Sequence, residues 1–172
     1  MPEGRSAVFI DGANLHSTSR ALGFEVDFKR LLAEFEQRGP LLRTYYYSTV
    51  LTPVEFVSIQ PLLDWLEYNG FTVRTKLPRK HDDGEGRRRY KRSIAIDLAI
   101  DAMEAAGYVD NIYLFSGDGD FRSLVEALQR RGVLVTVVST LRNKPAPMVA
   151  DELRRQADAF LELNDLKVAI SR

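Results

Sequence analysis

A buried strand, a turn and the start of a helix can be read from one segment of the sequence, Ile112-Tyr113-Leu114-Phe115-Ser116-Gly117-Asp118-Gly119-Asp120-Phe121. Five residues of strand character lead into a turn with two glycines and two carboxylates. Apolar residues then recur at helical spacing, at Leu124, Val125 and Leu128. Ligands of open α/β sheets bind beside the carboxyl ends of the strands, so Asp118 and Asp120 are expected at the rim of a functional crevice.

A strand and turn of the same design lie near the N-terminus. Ala7-Val8-Phe9-Ile10 reads as a buried strand, and Asp11-Gly12-Ala13-Asn14 follows it directly. Two carboxylates about 4 Å apart repel by roughly 4 kcal/mol at an effective dielectric constant near 20, so such a pair protonates, binds a cation or stays apart. We interpret the two turns as meeting to hold a metal ion. The alternative is that Asp and Gly serve here only as turn formers.

The kinds of side chain available narrow the identity of that metal. The chain has no cysteine and only two histidines, neither of which is a convincing ligand. Oxygen-only ligand sets favour Mg²⁺ or Mn²⁺ over Zn²⁺. The expected cofactor is therefore Mg²⁺ or Mn²⁺.

Length and composition indicate one well-cored domain over residues 1–172, with its core at about 7–163. The 172 residues are 45% hydrophobic, which is enough for one such domain. Lys and Arg number 24 against 24 Asp and Glu, so nucleic-acid binding would have to come from a local patch. The absence of cysteine fits a reducing cytosol, and no apolar run approaches the roughly 20 residues that span a bilayer. We expect a soluble, cytoplasmic protein with no membrane partner.

Strand and helix patterns alternate along the chain, which predicts an α/β fold with a mainly parallel sheet of five to six strands covered by helices. Thr52-Pro53-Val54-Glu55 has the residues of a capping box and should begin a helix that ends before Gly70. Its core candidates are Phe56, Ile59, Leu63, Trp65 and Leu66. A helix from Pro147 to Arg155 and a short strand at 159–163 are the last elements predicted.

Residues 78–92 break this alternation because the segment has seven Lys or Arg residues and almost no apolar ones. It should form a mobile loop or a charged hairpin. One interpretation is a solvated insertion. The other is a basic arm that binds a phosphate backbone with salt-dependent affinity.

The next predicted helix, capped by Ser93, runs from Ile94 to about Ala106. Asp97 and Asp101 are four residues apart and therefore share one face of it. The neighbouring apolar stripe, expected to pack on the core, consists of Ile96, Ile100 and Met103. The two acids belong either to a site or to an exposed acidic face.

Ile10-Asp11-Gly12-Ala13-Asn14-Leu15 and the segment Phe115–Phe121 together resemble the LabA-like branch of the NYN-domain family, within the PIN-like nucleases. The resemblance extends from about Val8 to Phe160. It implies a three-layer α/β/α, PIN-like (Rossmannoid) fold and a Mg²⁺- or Mn²⁺-dependent ribonuclease. By this resemblance the acidic site comprises Asp11, Asp118 and Asp120, with Asn14 and Ser116 as polar neighbours and Asp101 as a recurrent family acid.

One position departs from the family pattern. Ala95 stands where the family carries a site carboxylate, after the segment that contains Lys91. Asp97 lies roughly 200° further round the helix, so it cannot replace that group unless the helix shifts. The chain could therefore be a weakened nuclease, an altered one, or a protein that binds RNA without cutting it.

The leading hypothesis is metal-assisted hydrolysis of phosphodiester bonds, with single-stranded RNA as the favoured partner. The predicted catalytic residues are Asp11, Asp118, Asp120 and Asp101, and the predicted metal ligands are Asp11, Asp118, Asp120 and Asp97. The predicted binding residues are Asn14, Ser116, Lys91, Arg92 and Arg122.

Two rival functions follow from the same residues. The first is a catalytically weakened or inactive RNA-binding or regulatory module, because of Ala95. The second is a nucleotide-binding or phosphotransfer enzyme, although the chain has no Gly-x-Gly-x-x-Gly or P-loop sequence. The sequence leaves the oligomeric state open, with a homo-oligomer allowed.

Overall fold

The computed structural model describes residues 4–50, 52–76, 80–82, 88–90, 94–142 and 148–172. In chain order, its strands are β1 (Ser6–Asp11), β2 (Leu41–Thr49), β3 (Phe71–Lys76), β4 (Lys80–Asp82), β5 (Arg88–Tyr90), β6 (Asn111–Phe115), β7 (Leu134–Ser139) and β8 (Ala159–Glu162). Its helices are α1 (Gly12–Ala21), α2 (Phe28–Glu36), α3 (Pro53–Tyr68), α4 (Ala95–Ala105), α5 (Arg122–Arg130), α6 (Asp151–Gln156) and α7 (Leu163–Ile170). A 3₁₀ turn, Gly119–Phe121, precedes α5.

Six strands form a parallel sheet in the order β3-β2-β1-β6-β7-β8. The central pair is β1 and β6, with Ile10 beside Phe115 in register. Residues of β1 alternate between the two faces of the sheet, and all of Ala7, Val8, Phe9 and Ile10 are fully buried. This arrangement accounts for the continuous apolar run in the sequence, since a strand covered on both faces has no polar side.

Helices cover both faces of the sheet, each over its own apolar core. One core joins Ala7 and Phe9 to apolar residues of α4, α5 and α6. The other joins Val8 and Ile10 to apolar residues of α1, α2, α3 and α7. The predicted three-layer α/β/α fold with a parallel sheet of five to six strands is therefore confirmed.

The predicted helix start at Thr52 is also found in the structure, and Asp27 caps α2 in the same way. The Asp27 carboxylate accepts hydrogen bonds from the backbone N–H groups of Lys29 and Arg30. Thr52 Oγ1 accepts from the N–H of Glu55 at 3.1 Å, with Pro53 in the first turn. Both side chains satisfy helix N–H groups that have no partner within the helix.

Three helices differ from their predicted form. Helix α7 was not predicted, because it follows β8 directly and no turn residue separates them. The helix expected from Pro147 begins at Asp151, and Pro147 lies outside the described residues. In α3, Leu63 and Leu66 are buried as predicted, but Phe56 and Trp65 are exposed.

Helix α4 buries a different face from the predicted one. Ile96 and Ile100 are 66% and 54% exposed, so the prediction that they pack on the core is wrong. The buried face consists of Leu98, Asp101, Ala102 and Ala105. The predicted cap, Ser93, lies outside the described residues, and Ile94 occupies the N-cap position.

The charged segment at 78–92 contains β4 and β5, which pair antiparallel with Lys80 opposite Tyr90. In the described ranges, no helix is both long and apolar enough to cross a lipid bilayer.

Candidate active site

Asp11 is the last residue of β1 and caps helix α1. One of its carboxylate oxygens, Oδ1, accepts the backbone N–H of Asn14 at 3.3 Å. The other, Oδ2, accepts the hydroxyl of Ser116 at 3.1 Å. The Asp11 carboxylate is therefore held by one hydrogen bond from its own turn and one from the turn that follows β6.

A hydrogen bond within the turn after β6, and a second one from this turn to the turn after β1, complete the contact. Ser116 Oγ, which donates to Asp11, accepts the N–H of Asp118 at 3.2 Å. The N–H of Gly117 donates to Asn14 Oδ1 at 3.1 Å. Because β1 and β6 are adjacent and parallel, their two following turns meet at one edge of the sheet.

Two glycines allow this close approach. A Cβ on Gly12 would lie 2.6 Å from the ring of Tyr46 and from the carbonyl oxygen of Tyr47. A Cβ on Gly117 would collide with the backbone carbonyl of Met148. The Gly117 carbonyl also accepts the N–H of Ala150 at 2.9 Å, which holds the loop before α6 against the turn.

The surroundings of the Asp11 carboxyl disfavour its charged form. Burial raises the pKa of the Asp11 carboxyl above its ordinary value, and the charge of Asp118 adds to the increase. The hydrogen bonds from Asn14 and Ser116 act in the opposite direction. Burial raises the pKa of the Tyr46 hydroxyl to about 12, and the charge of Asp11 adds to the increase. Asp11 is thus a partly buried acid whose charge is compensated only in part by its neighbours.

Asp11 and Asp118 line a cleft with a volume of about 760 Å³. Its walls are largely apolar and include Ile59, Leu62 and Phe121. Among the described residues that line it, the carboxylates are Asp11, Asp118 and Glu55. The cleft could therefore hold a ligand that has an apolar part and a group that binds a cation, with the second group next to the two aspartates.

Comparison with known proteins assigns the chain to a family. The model of the NYN domain family matches residues 5–164 of the chain. The chain belongs to the NYN domain family. It is 35% identical over 172 residues to the low amplitude and bright protein LabA of Synechococcus elongatus, covering 98% of this chain and 88% of LabA. The NYN family is of the PIN-like nuclease type.

A solved structure shares the fold of this NYN domain. A Vibrio parahaemolyticus protein of unknown function superimposes with a TM-score of 0.77 at 26% sequence identity. The alignment covers 95% of this chain and 94% of that protein. The likeness therefore includes nearly all of both molecules.

The position that departs from the family pattern faces the cleft of this NYN domain. Ala95, the first residue of α4, lines the cleft together with Asp11 and Asp118. An alanine at this position contributes a methyl group where the family resemblance implies a carboxylate. The cleft therefore has one carboxylate fewer than the resemblance implies.

The other predicted acids are not drawn into the cleft. Asp101 is buried under the NYN domain's sheet edge, where it accepts hydrogen bonds from Tyr47 and Arg74. Asp97 is exposed and forms an ion pair with Lys76 at 3.4 Å. Asp120 follows Asp118 in the 3₁₀ turn, and its N–H donates to Asp118 Oδ1 at 2.9 Å. None of these three acids is among the described residues that line the cleft.

Of the predicted basic residues, only Arg122 lies in the part of the chain that the structure describes. Lys91 and Arg92 lie outside the described residues. Arg122 begins α5 and forms an ion pair with Glu126 at 3.6 Å. Asn14 and Ser116, by contrast, stand beside Asp11 as the family resemblance implies.

Two residues that line the cleft were missed by sequence reasoning. Glu55 was assigned only to the capping box of α3, and His16 on α1 was given no role. Spacing along the chain gives no signal for Glu55, because α3 comes to the cleft only through the order of the strands. Helix α1 could have indicated His16, since His16 lies about one helical turn after Gly12, which follows Asp11 and also lines the cleft.

Asp11 and Asp118 fit a magnesium-type ion that keeps most of its water. Such ions are commonly bound by one or two carboxylates together with substrate phosphates. In the described part of the chain, no group of three Asp, Glu or His side chains is close enough to hold a metal ion. The donor set is therefore two carboxylates, and the remaining ligands would come from water and substrate.

Proposed function

We propose that this NYN domain is a Mg²⁺- or Mn²⁺-dependent ribonuclease that hydrolyses phosphodiester bonds of single-stranded RNA. The observation that carries the proposal is the pairing of Asp11 with the Asp118 turn through the Ser116 hydroxyl, at the edge of a large cleft. A partly buried acid with a raised pKa, beside a second carboxylate, is a common electrostatic signature of a functional site.

Asp11 and Asp118 would hold the metal ion. When bound, such an ion neutralises charge on the phosphate and makes bound water more acidic. Ser116 keeps the Asp11 carboxylate oriented, because its hydroxyl donates to Oδ2 while accepting the N–H of Asp118. Asn14 fixes the second turn by accepting the Gly117 N–H.

The remaining walls of the cleft would bind RNA rather than act on it. Apolar side chains such as Ile59, Leu62 and Phe121 offer contact area for a nucleobase and exclude water from the carboxylates. Arg122, with Lys91 and Arg92 from the charged segment, would bind backbone phosphates. Such contacts give affinity that decreases as salt is added and confer little sequence preference.

Cleavage of a labelled single-stranded RNA in MnCl₂ tests the proposal. The Asp118→Asn variant should cut about 100-fold more slowly or not at all, because it removes one of the two carboxylates. Asp165→Asn is the matched control, since Asp165 is an exposed aspartate on α7. Cleavage by Asp118→Asn at the rate of the control would contradict the proposed site.

A second candidate function is an RNA-binding module that cuts weakly or not at all, and Ala95 in the cleft favours it. The Ala95→Asp variant separates the two. A gain of about tenfold or more in Mn²⁺-dependent cleavage indicates a nuclease weakened at this position. RNA binding without cleavage in both Ala95→Asp and the unmodified protein indicates the binding module.

A further inference from the structure

Helix α3 is apolar on two opposite faces. One face packs on the sheet through Leu63 and Leu66, which are 3% and 0% exposed. The other face is exposed to solvent and carries five apolar residues, which we call the outer stripe: Val54, Val57, Pro61, Trp65 and Tyr68. A helix that needs only one apolar face to join a fold therefore presents a second one.

The outer stripe is narrow and nearly continuous. At about 100° per residue its five members fall within an arc of about 80°, on the side of the helix away from Leu63 and Leu66. Tyr68, Val54 and Val57 are 91%, 78% and 73% exposed. Together the five side chains expose roughly 600 Å² of surface, at the upper limit for the largest apolar patch of a typical monomer.

The order of residues in the stripe is symmetric about Pro61. Val57 and Trp65 lie four residues before and after it, and Val54 and Tyr68 lie seven before and after it. If two copies of α3 pack antiparallel about a two-fold axis at Pro61, Val57 meets Trp65 and Val54 meets Tyr68. Each small side chain then faces a large ring, which is the complementarity that close packing requires.

We propose that the outer stripe of α3 is the interface of a homodimer in which two copies pair antiparallel across Pro61. The stripe itself supplies most of the roughly 800 Å² per partner that a standard interface buries, and the flanking polar residues complete it. The isologous geometry needs no second binding surface, since the same five residues serve both copies.

The charge of α3 argues against RNA as the occupant of this face. The helix contains no Lys or Arg and carries Glu55, Asp64 and Glu67. An acidic helix repels a phosphate backbone. The three acids lie outside the arc of the outer stripe, so they can stay in solvent when a second copy packs on it.

The interface would also border the candidate active site. Val54 belongs to the outer stripe and lines the cleft that contains Asp11 and Asp118. The two-fold pairing puts Tyr68 of the second copy against Val54, at the mouth of that cleft. Each cleft in the dimer would thus have one aromatic side chain from the other copy at its entrance.

The molar mass in solution tests the interface. Light scattering after size exclusion and sedimentation equilibrium should give a dimer for the unmodified protein at micromolar concentration. Val57→Glu should give a monomer, with dissociation at least tenfold easier, because it places a carboxylate opposite Trp65. The matched control is Val168→Glu on α7, where an isolated valine is 89% exposed, and this variant should remain dimeric. Circular dichroism checks that both variants are folded.

A size-swap series tests the antiparallel register independently. Val54→Tyr sets two tyrosines against each other, and Tyr68→Val leaves two valines with a gap between them, so each change alone should weaken the dimer. The double variant restores one large and one small side chain at each contact, and its dissociation constant should return to within about threefold of the unmodified value. A protein that is monomeric up to 100 µM overturns the proposal, as does a dimer that survives Val57→Glu or a swap that fails to restore pairing.

Discussion

At the scale of single residues, opposing interactions act on the charge of one side chain, Asp11. Burial and the nearby Asp118 both disfavour its charge, while the Asn14 N–H and the Ser116 hydroxyl favour it. The pKa is nevertheless raised, so the hydrogen bonds do not fully offset the desolvation. Natural folds tolerate such a conflict at positions where a ligand resolves it, and a divalent cation at Asp11 would do so.

This raised pKa makes a prediction about stability and pH. A carboxyl whose pKa is higher in the folded than in the unfolded state favours folding while it is protonated, and this contribution is lost as the pH rises through the folded-state value. Asp11→Asn in EDTA should therefore be more stable than the unmodified protein at pH 8. The difference should shrink as the pH falls toward 4. Thermal unfolding between pH 4 and 8 measures it.

The control for this experiment is Asp165→Asn, which makes the same chemical change at an aspartate that is 66% exposed. This variant should not reproduce the gain in stability at pH 8. If Asp11→Asn were less stable than the unmodified protein across the whole pH range, the charged Asp11 carboxylate would stabilise the fold without a cation. The electrostatic part of the argument for a metal site would then be lost.

The identity of the two central acids could be predicted from the sequence, whereas their immediate surroundings could not. Asp11 and Asp118 each follow a strand that reads as buried, and parallel strands bring such turns to one edge. The resemblance to the NYN family also singled out Ser116. The hydrogen bond that joins Ser116 to Asp11 depends on the relative depth of two turns 105 residues apart, for which the sequence pattern has no signal.

Among the elements, α4 is held to the sheet by a buried polar contact as well as by apolar packing. Asp101 accepts the hydroxyl of Tyr47 on β2 at 2.7 Å and the Nε–H of Arg74 on β3 at 3.1 Å. The guanidinium of Arg74 makes a second contact with the same carboxylate at 3.4 Å. Burial, together with Asp101, raises the pKa of the Tyr47 hydroxyl, so the hydroxyl remains a donor.

Removal of this carboxylate should weaken the fold. Asp101→Ala leaves the buried Tyr47 hydroxyl without an acceptor and should lower the free energy of unfolding by roughly 1–3 kcal/mol. Tyr47→Phe removes the donor as well as its need for a partner and should cost about 1 kcal/mol. Urea unfolding of the two single variants and the double variant gives the coupling between them.

Asp97 is the matched control on the same helix. Its ion pair with Lys76 is solvent-exposed on both sides, so Asp97→Ala should change the free energy of unfolding by less than about 0.5 kcal/mol. Equal losses for Asp97→Ala and Asp101→Ala would contradict the structural role assigned to Asp101.

Helix α4 also shows why its buried face was predicted wrongly. Its sequence has two apolar stripes, one with Ile96 and Ile100 and one with Leu98 and Ala102. The larger side chains favoured the first stripe, yet the second is buried, together with Asp101. The groups that make a buried Asp101 acceptable come from β2 and β3, so the helix pattern alone points to the wrong face.

At the scale of the whole molecule, the strand order explains why the cleft lies where it does. The chain passes from β1 outward to β2 and β3, and then returns through α4 to β6 on the other side of β1. The order therefore reverses between β1 and β6, and the crevice at such a reversal is the usual ligand site of open α/β sheets. Alternation of strands and helices predicts the layers, but the order within the sheet required the three-dimensional structure.

Because the two carboxylates belong to separate parts of the chain, a metal ion bound by both should stabilise the entire fold. An ion that binds only the folded state at ten times its dissociation constant adds about 1.4 kcal/mol, or roughly 3–6 °C in the unfolding temperature of a chain of this length. Titration with MnCl₂ should give this shift for the unmodified protein and for Asp165→Asn, and none for Asp118→Asn. Ala95→Asp should reach the same shift at lower MnCl₂, because a further carboxylate then faces the cleft. An undiminished shift in Asp118→Asn would place the bound ion elsewhere, since only a site that includes Asp118 loses affinity when that carboxylate becomes an amide.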